Sequence, residues 1–505
     1  MQRRQFFRLA AVAGLAPLVR PQVAWSAHPG HRPGAAPARP GALPRAPLIK
    51  PPVLRGPELL LRAQEQSAEI APGVMARVWS PGPGPVGPTI EGRTGDRLRI
   101  RLDNALPEST ILHWHGLRVP EAADGHPRLA IAPGGRYDYD VPLIDRAGTY
   151  WYHSHAHHRT GIQAYRGMAG LLLIRDEYED RLGLPGGDHE LPMLVQDRRL
   201  AADGTFEYEP VMHEQMEGYF GDAPFVNGIR LPSQDVETTT YRLRIANATS
   251  SRILRLALSN GASFTLIGVD GGLLEAPVTL PTLDLGTGER VDVLVSFAGE
   301  RVGSTVSLLS AAFPSPARMG GMGMGRGMGG GMGGGMGRMG AGGVPQGGEM
   351  TLVEFRVTRS VSPVAWRPVP LPPLPLPEAR RATKTRTFSF ESAMMRHAIN
   401  GRTFDMERMD ETVRFGDTEV WTFVNDSPFP HPVHVHETQF RVLERTGGRA
   451  EVMPWERGLK DTVLVLPGER VSVAATFDSY RGRFLMHCHN MIHEDMGMML
   501  NFAIA

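Results

Sequence analysis

The chain of 505 residues reads as an all-β protein of three β-sandwiches in tandem, and three observations predict it. Glycine (59) and proline (43) are abundant while charged residues stay at 21%, a composition of short strands and turns rather than long helices. One strand pattern returns three times, as Pro133-Gly134-Gly135-Arg136-Tyr137-Asp138-Tyr139, Thr287-Gly288-Glu289-Arg290-Val291-Asp292-Val293 and Pro467-Gly468-Glu469-Arg470-Val471-Ser472-Val473; such recurrence marks a repeated unit. A second pattern goes with it, in Gly95 to Asn104, Tyr241 to Asn247 and Gly416 to Asn425. Each copy alternates with the two-residue period of a half-buried strand.

Residues 1–27 read as an export signal. Arg3-Arg4-Gln5-Phe6-Phe7-Arg8 precedes an apolar run from Leu9 to Val19, with small residues at Ala24 and Ser26 and cleavage expected near Ser26 or Ala27. Paired arginines before two phenylalanines resemble the twin-arginine signal, which a receptor reads and which serves proteins folded before export. The run is far shorter than the roughly 20 apolar residues that span a bilayer, so no membrane anchor is expected after signal removal. The mature chain is expected in the periplasm or cell envelope.

Residues 28–57 hold nine prolines and read as an extended tether. The sandwiches are expected at 58–180, 188–360 and 385–505, with a Met/Gly-rich insertion at 317–349 and a Pro-rich linker at 361–384. Within the insertion, Met319 to Met339 is almost entirely glycine and methionine, a composition that builds no core.

Lysine plus arginine total 54 against 53 for aspartate plus glutamate, so bulk charge recruits neither nucleic acid nor an anionic membrane surface. A monomer with small-molecule partners is expected. The single cysteine, Cys488, forms no intramolecular disulfide. A lone thiol outside the cytoplasm is an oxidation liability unless a metal occupies it.

Ten of the 18 histidines fall in four clusters: His113 and His115; His153 and His155; His431, His434 and His436; His487, His489 and His493. The clusters follow the repeats of the outer sandwiches, whereas the middle repeat runs on into Ser251-Arg252-Ile253-Leu254. The two outer units therefore look as if they face each other across a shared site. Residues two apart on a strand share a face. In His487-Cys488-His489 the imidazoles point one way and the thiol the other, so Cys488 serves one metal while its neighbours serve a different one, an electron path of a few covalent bonds. A thiolate, two imidazoles and a weak thioether make a blue-copper site, and Cys488, His431, His493 and Met498 supply them. Eight imidazoles remain, enough for three coppers with two, three and three nitrogen ligands. Zinc is the rival, but this donor set suits copper better than a closed Cys-rich zinc site.

The four clusters, in this order, resemble the pattern of multicopper oxidases, and the repeats cover nearly the whole mature chain. Within that family the chain looks most like bacterial laccases and cuprous oxidases. The resemblance implies cupredoxin-like Greek-key sandwiches, four copper ions, and dioxygen as electron acceptor. It also implies ligand roles: His113 and His434 on a type 2 copper; His115, His153 and His489 on one type 3 copper; His155, His436 and His487 on the other. His431, Cys488, His493 and Met498 form the type 1 site, with Met496 and Met499 as alternatives for the axial position. Asp124 and Glu494 match family acids that feed protons to dioxygen. His157 and His158 follow the second cluster, but the ligand set is complete without them. Asp461, in Lys460-Asp461-Thr462-Val463, resembles a recurrent family segment and is read as orienting its neighbours, outside the site.

The expected donors are phenolic or aromatic molecules or Cu(I). Seven methionines lie between Met319 and Met339, and thioethers are soft ligands for Cu(I); cuprous oxidases of the family carry a similar insertion. Those enzymes also have Asp and Met before the third cluster, whereas Asn425-Asp426-Ser427-Pro428-Phe429-Pro430 here contains no methionine. A copper-binding or structural envelope protein of the same fold is the alternative reading, and the intact ligand set speaks against it. A two-domain copper nitrite reductase lacks both the His-Cys-His arrangement and a third repeat.

Overall fold

The computed structural model describes residues 45–317, 343–362, 366, 373–393 and 395–505. The expected signal, the tether up to residue 44, Met319 to Met339 and part of the Pro-rich linker lie outside them.

Six sheets pair into three sandwiches. In the first, strands Val53–Leu54, Thr89–Arg93, Ala169–Arg175, Gly148–Ser154 and Leu112–His115 form one sheet. It faces a second sheet of Val74–Ser80, Glu58–Ala71, Arg97–Asn104 and Arg136–Pro142. The third is built alike: Glu411–Val413, Met499–Ile504, Gly482–Cys488, His431–Val435 and Thr462–Val465 oppose a sheet centred on Thr418–Asn425 and Arg470–Thr476. The middle sandwich joins a sheet around Thr240–Asn247 and Arg290–Ser296 to one around Leu254–Leu258 and Thr305–Ser310. Each has its own apolar core, exemplified by Ile100, Leu102 and Trp114 in the first, Leu243, Leu266 and Phe355 in the middle and Phe423, Val473 and Phe502 in the third. A fully buried Leu or Phe contributes about 1.5–3 kcal/mol relative to exposure.

The repeated second pattern ends differently in each unit. Arg97–Asn104 alternates exposed and buried, leaving one face to solvent. Thr240–Asn247 is buried at every residue after the first. Its outward positions carry Arg242 and Arg244, and burial of these charges requires partners. Arg242 Nη2 lies 2.5 Å from Asp292 Oδ2, Arg244 Nε lies 2.6 Å from Glu190 Oε1, and Arg244 Nη1 donates to the carbonyl of Gly148 in the first sandwich. Burial alone would raise the Glu190 carboxyl, but Arg175, Arg244 and Arg242 hold it at about 2. The middle unit thus meets the first through paired charge where periodicity predicts a solvated face.

The described end of the Pro-rich segment is docked. Leu48 N–H donates to the Ser233 carbonyl at 2.7 Å, and Val53–Leu54 pairs in parallel with Thr89–Arg93. No helix among the described residues is long and apolar enough to cross a membrane.

Candidate metal centre

The outer sandwiches use the same device. Leu112–His115 pairs antiparallel with Gly148–Ser154, putting His113 opposite His153 and His115 opposite Trp151. His431–Val435 pairs antiparallel with Gly482–Cys488, putting His434 opposite His487 and Val433 opposite Cys488. Strand alternation then turns alternate imidazoles to one side. Rings stack between the sandwiches, His113 on His436 at 3.8 Å and His115 on His434 at 3.7 Å between centroids. Asp495 fastens the C-terminal ligand turn to the first sandwich by accepting the N–H groups of Thr160 and Gly161, both at 2.9 Å.

Eight buried imidazoles meet in three groups. His113 Nε2 and His434 Nε2 are 3.3 Å apart. His489 Nε2 lies 3.2 Å from His115 Nδ1 and 3.4 Å from His153 Nε2. His487 Nε2 lies 3.1 Å from His436 Nε2 and 3.4 Å from His155 Nε2. On the other side of the same strand, Cys488 Sγ stands 3.3 Å from His431 Nδ1 and 3.7 Å from His493 Nδ1. Met498 is buried in the core that holds Cys488, and its carbonyl accepts the Cys488 N–H at 3.0 Å. Met496 packs at the edge of another cluster, and Met499 pairs with His487 in the strand ladder.

The far ring nitrogens fix the tautomers. Carbonyl oxygens only accept, so Nδ1 carries the proton in His113 (to Asp124, 2.7 Å), His434 (to Asp461, 2.9 Å) and His153 (to Ser154, 2.8 Å). His493 donates from Nε2 to the Met216 carbonyl at 2.9 Å, and Ser427 Oγ lies 2.7 Å from His431 Nε2. Lone pairs therefore face lone pairs inside the groups, a conflict that bound cations remove. Burial holds His115, His153, His155, His431, His436, His489 and His493 well below the usual histidine range and His434 at about 4. The rings are neutral at neutral pH, the state that coordinates metal. Burial pushes the Cys488 thiol up, so a thiolate there needs a cation beside it. The donor chemistry fits copper.

Both sequence-nominated acids stand against these rings. Asp124 Oδ2 is 2.8 Å from His436 Nδ1 and its Oδ1 is 3.5 Å from His113 Nδ1. Glu494 is buried, with Oε2 3.2 Å from His487 Nδ1 and Oε1 3.6 Å from His155 Nε2. His157 and His158 stack on each other away from the groups, and His158 Nδ1–H donates to the Asp495 carbonyl at 2.6 Å.

Sequence reasoning passed over several neighbours. Asp461 Oδ1 lies 3.0 Å from His115 Nε2, inside the site from which it was left out. Arg290 Nη2 lies 2.5 Å from Asp461 Oδ2 and comes from the middle sandwich, which has no histidine cluster. His397 stacks on His493 at 4.0 Å and is held by Ser392 and the Gln215 carbonyl. Gly288 has φ +86°, and an added Cβ would stand 2.9 Å from His489 Cδ2 and 3.0 Å from His115 Cε1. The repeat that contains Gly288 and Arg290 was the available signal, although periodicity does not tell which copy faces the histidines.

Three multicopper oxidase family models match the chain, over residues 62–179, 224–304 and 372–505. The crystal structure of the McoA multicopper oxidase from Aquifex aeolicus is 31% identical, superposes with a TM-score of 0.79, and covers 92% of this chain and 100% of that one. A laccase from Haloferax volcanii is 31% identical over 83% of this chain and 76% of its own length. The cell division protein FtsP of Escherichia coli is 30% identical over 92% of this chain and 90% of its own. The chain belongs to the multicopper oxidase family. It is a copper oxidoreductase with dioxygen as acceptor, built from three tandem cupredoxin-like sandwiches.

Proposed function

We propose that this oxidase takes single electrons from phenolic or aromatic donors, or from Cu(I), and uses four of them with four protons to reduce one dioxygen to two waters. The observation that carries the reading is strand Gly482–Cys488 and its next residue, where one thiol faces His431 and His493 while His487 and His489 join two other groups. Four coppers, when bound, supply the electron transfer and the reduction of dioxygen. His431, Cys488, His493 and Met498 hold the entry copper; His113 and His434 hold the type 2 ion; His115, His153 and His489, and His155, His436 and His487, hold the type 3 pair. The carboxyl groups of Asp124 and Glu494, 2.8 Å from His436 Nδ1 and 3.2 Å from His487 Nδ1, are the acids placed to pass protons to dioxygen. The stacked, buried rings keep bulk water from the groups.

The sandwiches are assigned to 58–180, 188–360 and 385–505, the chain acts as a monomer, and residues 1–27 direct export by the twin-arginine route. The FtsP likeness keeps one alternative in view, a copper-binding or structural envelope protein without oxidase turnover. The complete set of buried donors favours the oxidase.

Steady-state oxidation of Cu(I) beside a panel of phenols, with oxygen uptake recorded, decides the donor. If the Met/Gly-rich segment gathers Cu(I), deletion of residues 319–339 lowers cuprous oxidation at limiting copper and leaves phenol oxidation equal or faster. An unchanged cuprous rate removes the collector role. Absence of oxygen uptake with every donor returns the alternative.

A further inference from the structure

Lys460-Asp461-Thr462 lies where all three sandwiches meet. Asp461 belongs to the third, Arg290 to the middle one and His115 to the first. The guanidinium of Arg290 uses all five N–H bonds. Nη1 donates to Asp461 Oδ1 (2.7 Å) and the Gly288 carbonyl (3.0 Å), Nη2 to Asp461 Oδ2 (2.5 Å) and the Asp270 carbonyl (3.0 Å), and Nε to the Thr149 carbonyl (3.1 Å). The planar fork grips the carboxylate at both oxygens, a geometry lysine does not reproduce. Gly116 leaves room for the grip, since a Cβ there would come within 2.4 Å of Arg290 Nη2 and 2.6 Å of Asp461 Oδ2.

So held, Asp461 touches two ring systems. Its Oδ1 accepts the Nε2–H of His115 at 3.0 Å, which leaves the Nδ1 lone pair toward His489. Its backbone carbonyl accepts the Nδ1–H of His434 at 2.9 Å, which leaves the Nε2 lone pair toward His113. Thr462 Oγ1 completes the junction, 2.9 Å from Asp461 Oδ1 and 3.0 and 3.2 Å from the His115 and His434 ring nitrogens. The two rings stack at 3.7 Å and 11°, so one residue orients a pair that belongs to different metal groups, His115 through its carboxylate and His434 through its backbone carbonyl. Lys460 Nζ sits 3.0 Å from both Asp270 and Glu289, keeping the surrounding charge paired.

We propose that Asp461, clamped by Arg290 of the middle sandwich, is a positioning residue that sets how tightly copper is held at the His113–His434 group and at the group containing His115. The proposal rests on the multicopper reading above. A carboxylate on the far nitrogen of a ligand histidine fixes its tautomer and raises its basicity, and loss of such a partner typically costs about 10–100-fold in metal affinity.

The test is copper affinity of the full-length mature chain, by competition with a chelator, following the type 2 EPR signal and total copper while the blue absorption of the Cys488 group reports folding of the third sandwich. Asp461→Asn keeps the shape and removes the charge. It is expected to stay blue while affinity at the group containing His115 falls about 10–100-fold, with a smaller loss at the His113–His434 group, where the backbone carbonyl contact is kept. A merely structural role would weaken the blue group equally and lower the melting temperature of the copper-free protein. Blue colour with unchanged affinity elsewhere overturns the proposal, as does uniform loss. If Asp461→Asn yields no folded protein, Arg290→Lys decides. It keeps the positive charge and loses the fork, and a selective affinity loss in the same direction supports the clamp while an unchanged affinity overturns it. Unaltered protein that binds copper only at Cys488 overturns the multicopper reading itself, a result distinct from either variant's behaviour.

Discussion

Gly288→Ala is the sharpest single-atom perturbation the structure offers. All three copies of the repeated turn hold glycine at positive φ, with Gly134 at 77°, Gly288 at 86° and Gly468 at 78°. An alanine in this left-handed region costs about 1–2 kcal/mol. At Gly288 the new methyl also lies 2.9 Å from His489 Cδ2 and 3.0 Å from His115 Cε1. Comfortable carbon contacts need about 3.5–4.0 Å, so the rings must retreat by roughly 0.5–1 Å. Metal–ligand distances tolerate only about 0.2 Å. His115 Nδ1 and His489 Nε2, 3.2 Å apart, therefore lose their common focus, and copper affinity at that group falls at least about tenfold, the equivalent of 1.4 kcal/mol. Gly134→Ala is the control, because nothing lies within 4 Å of its added Cβ. Gly134→Ala should show only the backbone cost in copper-free denaturant unfolding and Gly288→Ala that cost or more; only Gly288→Ala should lose copper and oxygen uptake while its Cys488 group stays blue. Full copper content and turnover in Gly288→Ala would refute the steric argument.

Cys488→Ser should abolish the blue absorption and oxidase turnover while the remaining groups still take up copper; retained turnover would break the proposed electron path. Asp124→Asn and Glu494→Gln should slow oxygen reduction by about 10²–10⁴-fold, the contribution of a positioned acid, with copper content intact by metal analysis. Met498→Leu should raise the type 1 potential and keep the colour, since a weak axial thioether tunes the metal without building its site; an unchanged potential points to Met496 or Met499. In the copper-free protein, burial lowers His434 and His397 to about 4, against about 6.5 in an unfolded chain. The unfolded chain takes up protons first, so their stabilising share is complete above about 6.5 and is lost as pH falls toward 4. Denaturant midpoints that hold constant between pH 7 and 4.5 would contradict this.

Where the sequence was legible, the reason was chemical monotony. Metal-binding rings must share a face, so His113 and His115, or His487 and His489, announce themselves by spacing alone, and Cys488 is conspicuous as the one thiol. The clamp was not legible, because Arg136, Arg290 and Arg470 occupy the same place in the repeat. Arg136 and Arg470 are exposed, whereas Arg290 is fully buried. Nothing local distinguishes them; only the packing of the middle unit against its neighbours does. The same cause hid Arg242 and Arg244, whose alternation reads as a wet face. His397 escaped because it stands alone in sequence, and the two rings that stack, His397 and His493, are held by the carbonyls of Gln215 and Met216, which have no side-chain code.

The rings that meet in the three inner groups are drawn from opposite ends of the chain. His113 and His434 are separated by 321 positions, His155 and His487 by 332, and His115 and His489 by 374. A ribosome that has made the first sandwich has produced half of each interlocking stack and no complete inner group. Assembly of the centre therefore waits for His487 and His489, and closing such distant contacts makes it a slow, late step in folding. A message truncated just before His487 would lack the Cys488 group and both three-histidine groups, and premature metal would find at most the His113–His434 pair.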